Sequence, residues 1–332
     1  MSSHASNPTQ AQTLLALTAG DPAGIGPEIV ASILAEKQLR ESTAILAIGP
    51  ETEAPFGMVR IASFEEWDPE TGNAWLVSQE SAGWRKGRAS REGGEAALCA
   101  LQLGAQLALA GRVDALVTAP VSKEAMHLAG ERVEGQTQLL ERWAGAPRVE
   151  MLACVRDLRV MLLTRHQPLA EALLEIDGPK VVGGLTFLDH ELRRLGVDAP
   201  RIALAGLNPH AGEGGLFGTE ELDTLVPACE EARTRGIDVT PPLPADSVFV
   251  RAAAGEFDAV LALYHDQAFI PVKLHAPGEA VTLLLGLPYV RVSPAHGTAF
   301  DIAGQGRADP TNLRIAVSQA SLWAQGRRCS AR

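Results

Sequence analysis

Cysteine is scarce and scattered in this 332-residue chain: Cys99, Cys154, Cys229 and Cys329 lie far apart and form no CxxC pair. That argues against a disulfide scaffold or a thiolate zinc site and leaves four ordinary reduced thiols. Long apolar runs are absent too. The apolar stretches are short and broken by glycine or charge, so none supplies the roughly 20 residues needed to cross a bilayer. The N-terminal MSSHASNPTQAQT is polar and lacks the basic-then-apolar pattern of a secretory signal, which points to a cytoplasmic protein. Aromatic residues are few and no run of Lys or Arg occurs, while 29 Lys plus Arg against 40 Asp plus Glu give a net charge of -11. Such a chain is a poor nucleic-acid binder, although one local basic pocket for a small anion stays open. There is no Walker A sequence, no third glycine in Rossmann register after Gly24-Ile25-Gly26, and no HExxH, because His190 begins HELRR. No repeat suggests a solenoid.

What is present suits a folded protein with a substantial core: 46% of residues are apolar and 21% charged, a length and mixture for one large or two medium α/β domains. Leu14 to Thr18 reads as a strand, followed by the turn-rich AGDPAGIGPE and a helix from Glu28 to Leu39, with Pro27 suited to its first turn. A second strand spans Ala44 to Ile48, whereas residues 49 to 94 mix Pro, Gly, Trp and charge without clear period. Glu95 to Ala110 has helical composition and Gly111 ends it. Apolar strands then recur at Asp114 to Thr118, Leu158 to Leu163, Ile202 to Leu207 and Asp258 to Tyr264, alternating with helices at Val181 to Leu195 and Glu220 to Arg235, the latter with an irregularity at Pro227. A further apolar segment covers Val281 to Leu285, and a last helix runs from Thr311 to about Gln325. Strands alternating with helices of this length predict crossover units, a largely parallel sheet and two α/β lobes facing a cleft.

The most informative pattern is three histidines placed just beyond three predicted strands: His166 in TRHQP, His210 in NPHAGEGG and His265 in YHDQ. In parallel α/β architecture the carboxyl ends of strands gather at one edge, so residues 44 and 55 positions apart can meet there. Three neutral imidazoles are apt ligands for a divalent metal, and the competing reading is three loop histidines that satisfy backbone groups. Asp266 follows His265 directly, and Asp246 precedes a helical run. Either could orient a histidine or handle a proton, while capping its helix is the safer reading for Asp246 in isolation. Lys123, Lys273 and Arg291 each follow a predicted strand or apolar segment and could reach a common anion; solvated surface charge is the alternative. Gln136 and Thr137 add hydrogen-bonding groups near a helix start. The loops NPHAGEGGLFG and HGTAFDIAGQGRADP are dense in Gly, Asn and Asp, which permits close backbone approach to a bulky ligand.

On LTAGDPAGIGPE, VTAPVSK, EGQT, TRHQPL, NPHAGEGGLFG, PADSVF, YHDQAFIPVK and LGLPYVRVSPAHGTAFDIAGQGRAD, spread over about residues 14 to 310, the chain resembles the 4-hydroxythreonine-4-phosphate dehydrogenase family. Similar proteins act on threonate or erythronate phosphates, and others oxidise carboxylated cyclohexadiene cis-diols. The resemblance implies that His166, His210 and His265 bind a divalent cation (Zn, Co, Mg or Mn) at a homodimer interface, with partner residues completing each site. It puts Gln136 and Thr137 where the family has a substrate-binding His-Thr pair, matches Lys273 and Arg291 to substrate-contacting residues, and puts Thr282 where an Asn contacts substrate. Gln136 and Thr282 are departures from the family pattern. The loop HGTAFDIAGQGRAD is similar to the nucleotide loop of isocitrate and isopropylmalate dehydrogenases, which implies that fold, NAD as cofactor, and His296, Gly297, Thr298, Ala299 and Asp309 near its adenosine. By the same analogy residues 1–120 and 276–332 form one lobe and 121–275 the other, carrying the metal and dimer-interface residues.

The implied reaction is oxidation of a secondary alcohol on a small anionic substrate, hydride passing to NAD, then loss of carbon dioxide to give 3-amino-2-oxopropyl phosphate. Asp246, Asp266 and Lys273 are the candidate catalytic residues. A nonenzymatic metabolite-binding protein on the same scaffold is the minority alternative, and neither nucleic acid nor membrane is an expected partner.

Overall fold

The computed structural model describes residues 12–79 and 83–330; the polar stretch 1–11 lies outside them. The chain divides into two compact units, Met1–Glu134 with Gly297–Pro310 and Gly135–His296 with Thr311–Arg332.

In the first unit, β1 (Thr13–Thr18) leads through the AGDPAGI turn into α1 (Gly26–Ala35), then β2 (Thr43–Gly49), β3 (Arg60–Ile61), β4 (Ala74–Val77), α2 (Arg91–Leu109), β5 (Ala115–Thr118) and α3 (Lys123–Leu128). The strands lie in the order β3-β4-β2-β1-β5, and every pairing within the unit is parallel. Every residue of β2 is buried, the continuous apolar signature of a strand covered on both faces. Pro27 sits in the first turn of α1 as expected, but that helix stops at Ala35 and a 3₁₀ turn over Gln38–Glu41 replaces its last residues. Helix α2 starts four residues before the expected Glu95, capped by the Ser90 hydroxyl accepting from the Gly93 amide. Gly93-Gly94 hides this start from composition. Gly94 is needed for another reason: a Cβ there would lie 2.0 Å from the Ala125 carbonyl oxygen, so its absence lets α3 close on α2.

The second unit contains α4 (Gln136–Ala144), β6 (Glu150–Val155), β7 (Leu158–Leu162), α5 (Leu169–Leu174), α6 (Gly178–Arg194), β8 (Arg201–Leu204), α7 (Val226–Thr234), β9 (Asp238–Val239), α8 (Ala245–Ala253), β10 (Ala259–Ala262), α9 (His265–His275), β11 (Val281–Leu285), β12 (Val290–Pro294) and α10 (Thr311–Ser330). Its strand order is β12-β11-β6-β7-β10-β8-β9. The run β7-β10-β8-β9 is parallel, but β12-β11-β6-β7 is antiparallel throughout. The expectation of a largely parallel sheet is therefore corrected to a mixed one. The signal was easy to miss: β6 and β7 are joined by the two residues Arg156 and Asp157, with Arg156 at φ 51, where hairpin sequences favour Asn-Gly. Pairing of β11 with β6 also explains why 281–296 groups with the second unit, so that only Gly297–Pro310 returns to the first.

The four cysteines are unpaired, and burial pushes the Cys154 thiol up to about 12 and that of Cys229 to about 11, so both behave as small apolar side chains. Among the described residues no helix is long and apolar enough to cross a membrane.

Asp21 is the buried acid of the first unit. It is fully inaccessible; its Oδ1 accepts from the Ala23 amide at 2.9 Å, and burial, opposed by backbone hydrogen bonds and by Lys86, raises its pKa above the ordinary 3.8. A raised native pKa makes the contribution of Asp21 to stability complete below the unfolded value and progressively lost as pH rises above it. Asp21→Asn keeps the acceptor and cannot ionise. Its melting temperature relative to the parent should therefore climb as pH rises from below 3.8 through the carboxylate range, read from thermal melts at a series of pH values; a difference that does not vary with pH would contradict the assignment.

Candidate active site

The parallel strands β7, β10 and β8 are immediate neighbours, and each leads at its carboxyl end to one of the three histidines. Buried side chains lock these ends together. The Leu163 amide donates to the Ala262 carbonyl at 2.8 Å, and the Thr164 hydroxyl donates to the Leu263 carbonyl at 2.7 Å. Gln267 joins the other pair: its Oε1 accepts from the Leu263 amide and its Nε2 donates to the Gly206 carbonyl, both at 2.7 Å. Sequence reasoning passed over Gln267, though it stands two residues from His265 in YHDQ.

His166 and His265, four and three residues past their strands, face each other with ring centroids 5.2 Å apart. His265 opens α9, its Nδ1 is 2.7 Å from Asp266 Oδ1, and its ring lies 4.7 Å from that of Phe269. A Nδ1–H donated to the carboxylate would leave Nε2 with its lone pair outward, the tautomer a metal ligand needs. His166, His265 and Asp266, together with Arg165, Leu169 and Tyr264, line a cleft of about 220 Å³. Lys273 lies on α9 rather than beyond a strand; it is exposed, with its ammonium 5.6 Å from the Phe269 ring.

His210 belongs to a different local pair. Its Nδ1 is 4.0 Å from Asp246 Oδ2, and Asp246 lies in the first turn of α8, two residues beyond the capping position, which Pro244 occupies. The backbone carrying His210 is unusual: His210, Ala211, Gly212, Glu213 and Gly214 all have φ between 45° and 78°. Left-handed backbone costs a residue with a Cβ roughly 1–2 kcal/mol, and three of these five carry one. The loop is tied down by Glu221, which is almost wholly buried and accepts from the Leu207 amide at 2.8 Å, the Asn208 amide at 2.7 Å and Asn208 Nδ2 at 2.9 Å. Burial pushes the Glu221 carboxyl up, but these hydrogen bonds outweigh it and leave the pKa lowered. Glu221 opens a π-helical turn, Glu221–Leu225, just before α7, so the irregularity expected at Pro227 lies earlier; Pro227 itself sits in the first turn of α7, where its missing N–H is harmless.

Gln136 and Arg291 form the third grouping. Gln136 is the first residue of α4, and its Oε1 accepts from Arg291 Nη2 at 3.3 Å. Arg291 pairs with Leu284 in the β11–β12 register, which puts its side chain on the same face as Thr282, two residues from Leu284. Burial lowers the Arg291 pKa to about 10, still a cation at neutral pH. Thr137 follows Gln136 on α4 and is half-buried.

In the first unit the loop Gly297–Pro310 lies on the start of α1. The Thr298 carbonyl accepts from the Ile25 amide at 3.0 Å, and a Cβ on Gly24 would stand 2.8 Å from that same oxygen, so the weak GxG of the sequence serves loop seating. Glu28 accepts from the Gly304 and Ala308 amides at 3.2 and 3.0 Å, a role its helical position in the sequence did not disclose. Ala299 adopts φ 41, and Asp309 is exposed. His296 closes the second unit and is exposed as well. Lys123 lies at the exposed start of α3.

The donor set suits a divalent cation in kind, and the His166–His265 spacing is compatible with two ring nitrogens facing one ion at the usual distance of about 2.0–2.1 Å. Among the described residues, however, no group of three His, Cys, Asp or Glu side chains is gathered closely enough to hold one.

Comparison with known proteins gives these groupings a context. The family model described as pyridoxal phosphate biosynthetic protein PdxA matches residues 30–320. A 4-hydroxythreonine-4-phosphate dehydrogenase of Beijerinckia indica is 42% identical over 316 residues, covering 92% of this chain and 94% of that one. A D-threonate 4-phosphate dehydrogenase of Cupriavidus necator is 38% identical over 95% of this chain and 98% of its own length. The crystal structure of 4-hydroxythreonine-4-phosphate dehydrogenase from Klebsiella pneumoniae superposes with a TM-score of 0.84 at 35% identity, covering 94% of this chain and all of that one. The α/β units are thus those of an NAD-dependent dehydrogenase. The chain belongs to the PdxA family.

Replacing Gln267 by Leu leaves the Leu263 amide and the Gly206 carbonyl buried without partners. We expect a loss of about 2–4 kcal/mol in urea-denaturation stability for the two orphaned groups; an unchanged midpoint would contradict the clamp.

Proposed function

We propose that this chain oxidises the secondary alcohol of 4-hydroxythreonine 4-phosphate, with NAD as hydride acceptor and a divalent cation held by His166, His210 and His265, acting as a cytoplasmic homodimer. The single observation that carries the reading is the adjacency of β7, β10 and β8, which delivers one histidine from each strand end. A cation bound there supplies Lewis acidity that makes the substrate alcohol easier to deprotonate and later stabilises negative charge on oxygen.

The rest falls to the protein. Arg291, with Gln136, Thr137 and Thr282 nearby in the fold, holds an anionic end of the substrate, and burial of its guanidinium strengthens that attraction. Asp266, paired with His265, and Lys273, eight residues further along α9, hold or move the proton released from the alcohol; Asp246 does the same beside His210. The loop Gly297–Pro310, seated by Glu28, receives the adenosine of NAD through Gly297, Thr298, Ala299 and Asp309, with His296 at its start. NAD held there would accept hydride from the carbinol carbon while the protein takes the hydroxyl proton, and the β-keto acid so formed would lose carbon dioxide and gain a proton to give 3-amino-2-oxopropyl phosphate. We read the two units as the lobes of the isocitrate/isopropylmalate dehydrogenase-like fold, on the strength of the chain's return to the first through Gly297–Pro310.

The homodimer has its own support. Each histidine is followed by large apolar side chains left in water: Leu174 at 88% exposure, Leu216 at 72%, and Leu274 at 73% with Ile270 beside it. Apolar surface of this kind around a site marks an association face. A partner subunit there would complete a cation site whose third donor does not join the other two in the isolated chain.

A second substrate reading, D-threonate 4-phosphate, is favoured by two observations: Gln136 and Thr282 stand where the family pattern has His and Asn, and relatives of both activities are of similar identity. NADH formation measured with each phosphate in the presence of divalent metal separates them. Turnover with 4-hydroxythreonine 4-phosphate, its suppression by chelation, and a fall in kcat/KM of roughly two orders of magnitude or more in His166→Ala and His265→Ala are expected. Preference for D-threonate 4-phosphate would move the assignment to the second reading, and inactivity toward every phosphate substrate would overturn both.

A further inference from the structure

We infer that Glu221 is the positioning residue that holds the His210 loop in its left-handed form and thereby aims the imidazole. The inference rests on the proposed role of His210 as a metal donor, and beyond that only on the geometry of one loop. Five consecutive residues, His210 to Gly214, turn the wrong way for L-amino acids, which an isolated segment would not do. The turn begins directly after Asn208-Pro209, and that is where the carboxylate grips. Its Oε1 takes the Leu207 and Asn208 amides together, and its Oε2 takes the Asn208 side chain, so the backbone leaving β8 is fixed just before the strained stretch starts. Glu220 adds a second acceptor for Asn208 Nδ2 at 2.7 Å.

Room for the grip is built in from the other side. A Cβ on Gly212, inside the left-handed run, would come within 2.9 Å of Glu221 Oε2, and one on Gly218 within 2.5 Å of Glu220 Oε2. The loop is closed by the Phe217 amide donating to the Gly212 carbonyl at 3.2 Å, which brings the Phe217 ring to 6.3 Å from that of His210. The π-helical turn gives Glu221 its register, since a wider turn at its origin shifts the side chain relative to the α-helix that follows. Glu221 acts through the backbone that carries His210.

The test compares Glu221→Ala, Glu221→Gln and a control, Glu191→Ala, by Co²⁺ calorimetry, by the visible absorption of bound Co²⁺, and by amide hydrogen exchange of the metal-free protein. Glu191 is an equally buried carboxylate of the same unit that anchors the Gly286 amide at 2.7 Å and Arg194 at 2.6 Å, and its histidine neighbour, His190 at 3.8 Å, has no part in the proposed site. The expected result is Co²⁺ affinity reduced by roughly 10–100-fold in Glu221→Ala, with an altered absorption band, and a smaller loss in Glu221→Gln, which keeps the acceptor for the two amides. Exchange of the amides from 207 to 214 should rise in Glu221→Ala, while Glu191→Ala loses thermal stability and keeps its Co²⁺ affinity. Affinity within about twofold of the parent in folded Glu221→Ala, or an equal loss in Glu191→Ala, would overturn the inference. If Glu221→Ala does not fold, Glu221→Gln against the parent decides by the same readings. A parent that binds no Co²⁺ sinks the metal reading alone, and the exchange of amides 207 to 214 then decides whether Glu221 braces the loop.

Discussion

The parallel hydrogen bonding of β7, β10 and β8 is the constraint on which the chemistry of the second unit depends. Parallel strands point their carboxyl ends the same way, and neighbours in a sheet lie about 4.8 Å apart, so residues leaving these strands emerge along one edge of the sheet. His166, His210 and His265 owe their candidacy to this alignment.

Alignment alone leaves strand ends free to splay, and buried polar side chains prevent that. Thr164 ties β7 to the segment after β10, Gln267 ties that segment to Gly206 beyond β8, and Glu221 anchors the amides that follow. Each satisfies backbone groups that leave the sheet before the helices begin, where an unmet donor or acceptor would cost most. The backbone next to the histidines is therefore held by buried hydrogen bonds. The imidazoles themselves are half-exposed or exposed, a combination suited to binding from solvent on a fixed platform.

Much of this was legible in the sequence. Apolar runs ending in His-bearing loops located β7, β8 and β10, and Val281 to Leu285 was placed to the residue, because a fully buried strand leaves a continuous apolar run between breakers. The antiparallel half of the second unit was not legible, since β6 opens on a partly exposed Glu150 and turns at Arg156-Asp157 without the usual glycine. Nor was the left-handed run after Pro209, whose non-glycine members give no local sign of positive φ; its cause, Glu221, lies eleven residues beyond His210. Roles assigned through long-range hydrogen bonds, such as Glu28 for the Gly297–Pro310 loop and Gln267 for the strand ends, have no local signature at all. Asp246 illustrates the opposite case: its helix start was foreseeable, whereas its place beside His210 required the fold.

The histidine groupings within one chain, His166 with His265 and His210 with Asp246, leave a single question on which the metal chemistry turns. X-ray absorption at the zinc edge of the assembled protein, loaded with one equivalent of Zn²⁺ per chain, addresses it directly. The account predicts multiple scattering from three imidazoles, with nitrogen at about 2.0–2.1 Å. A first shell of oxygen alone, or imidazole scattering that persists unchanged when His166, His210 and His265 are each replaced by Ala, would contradict it.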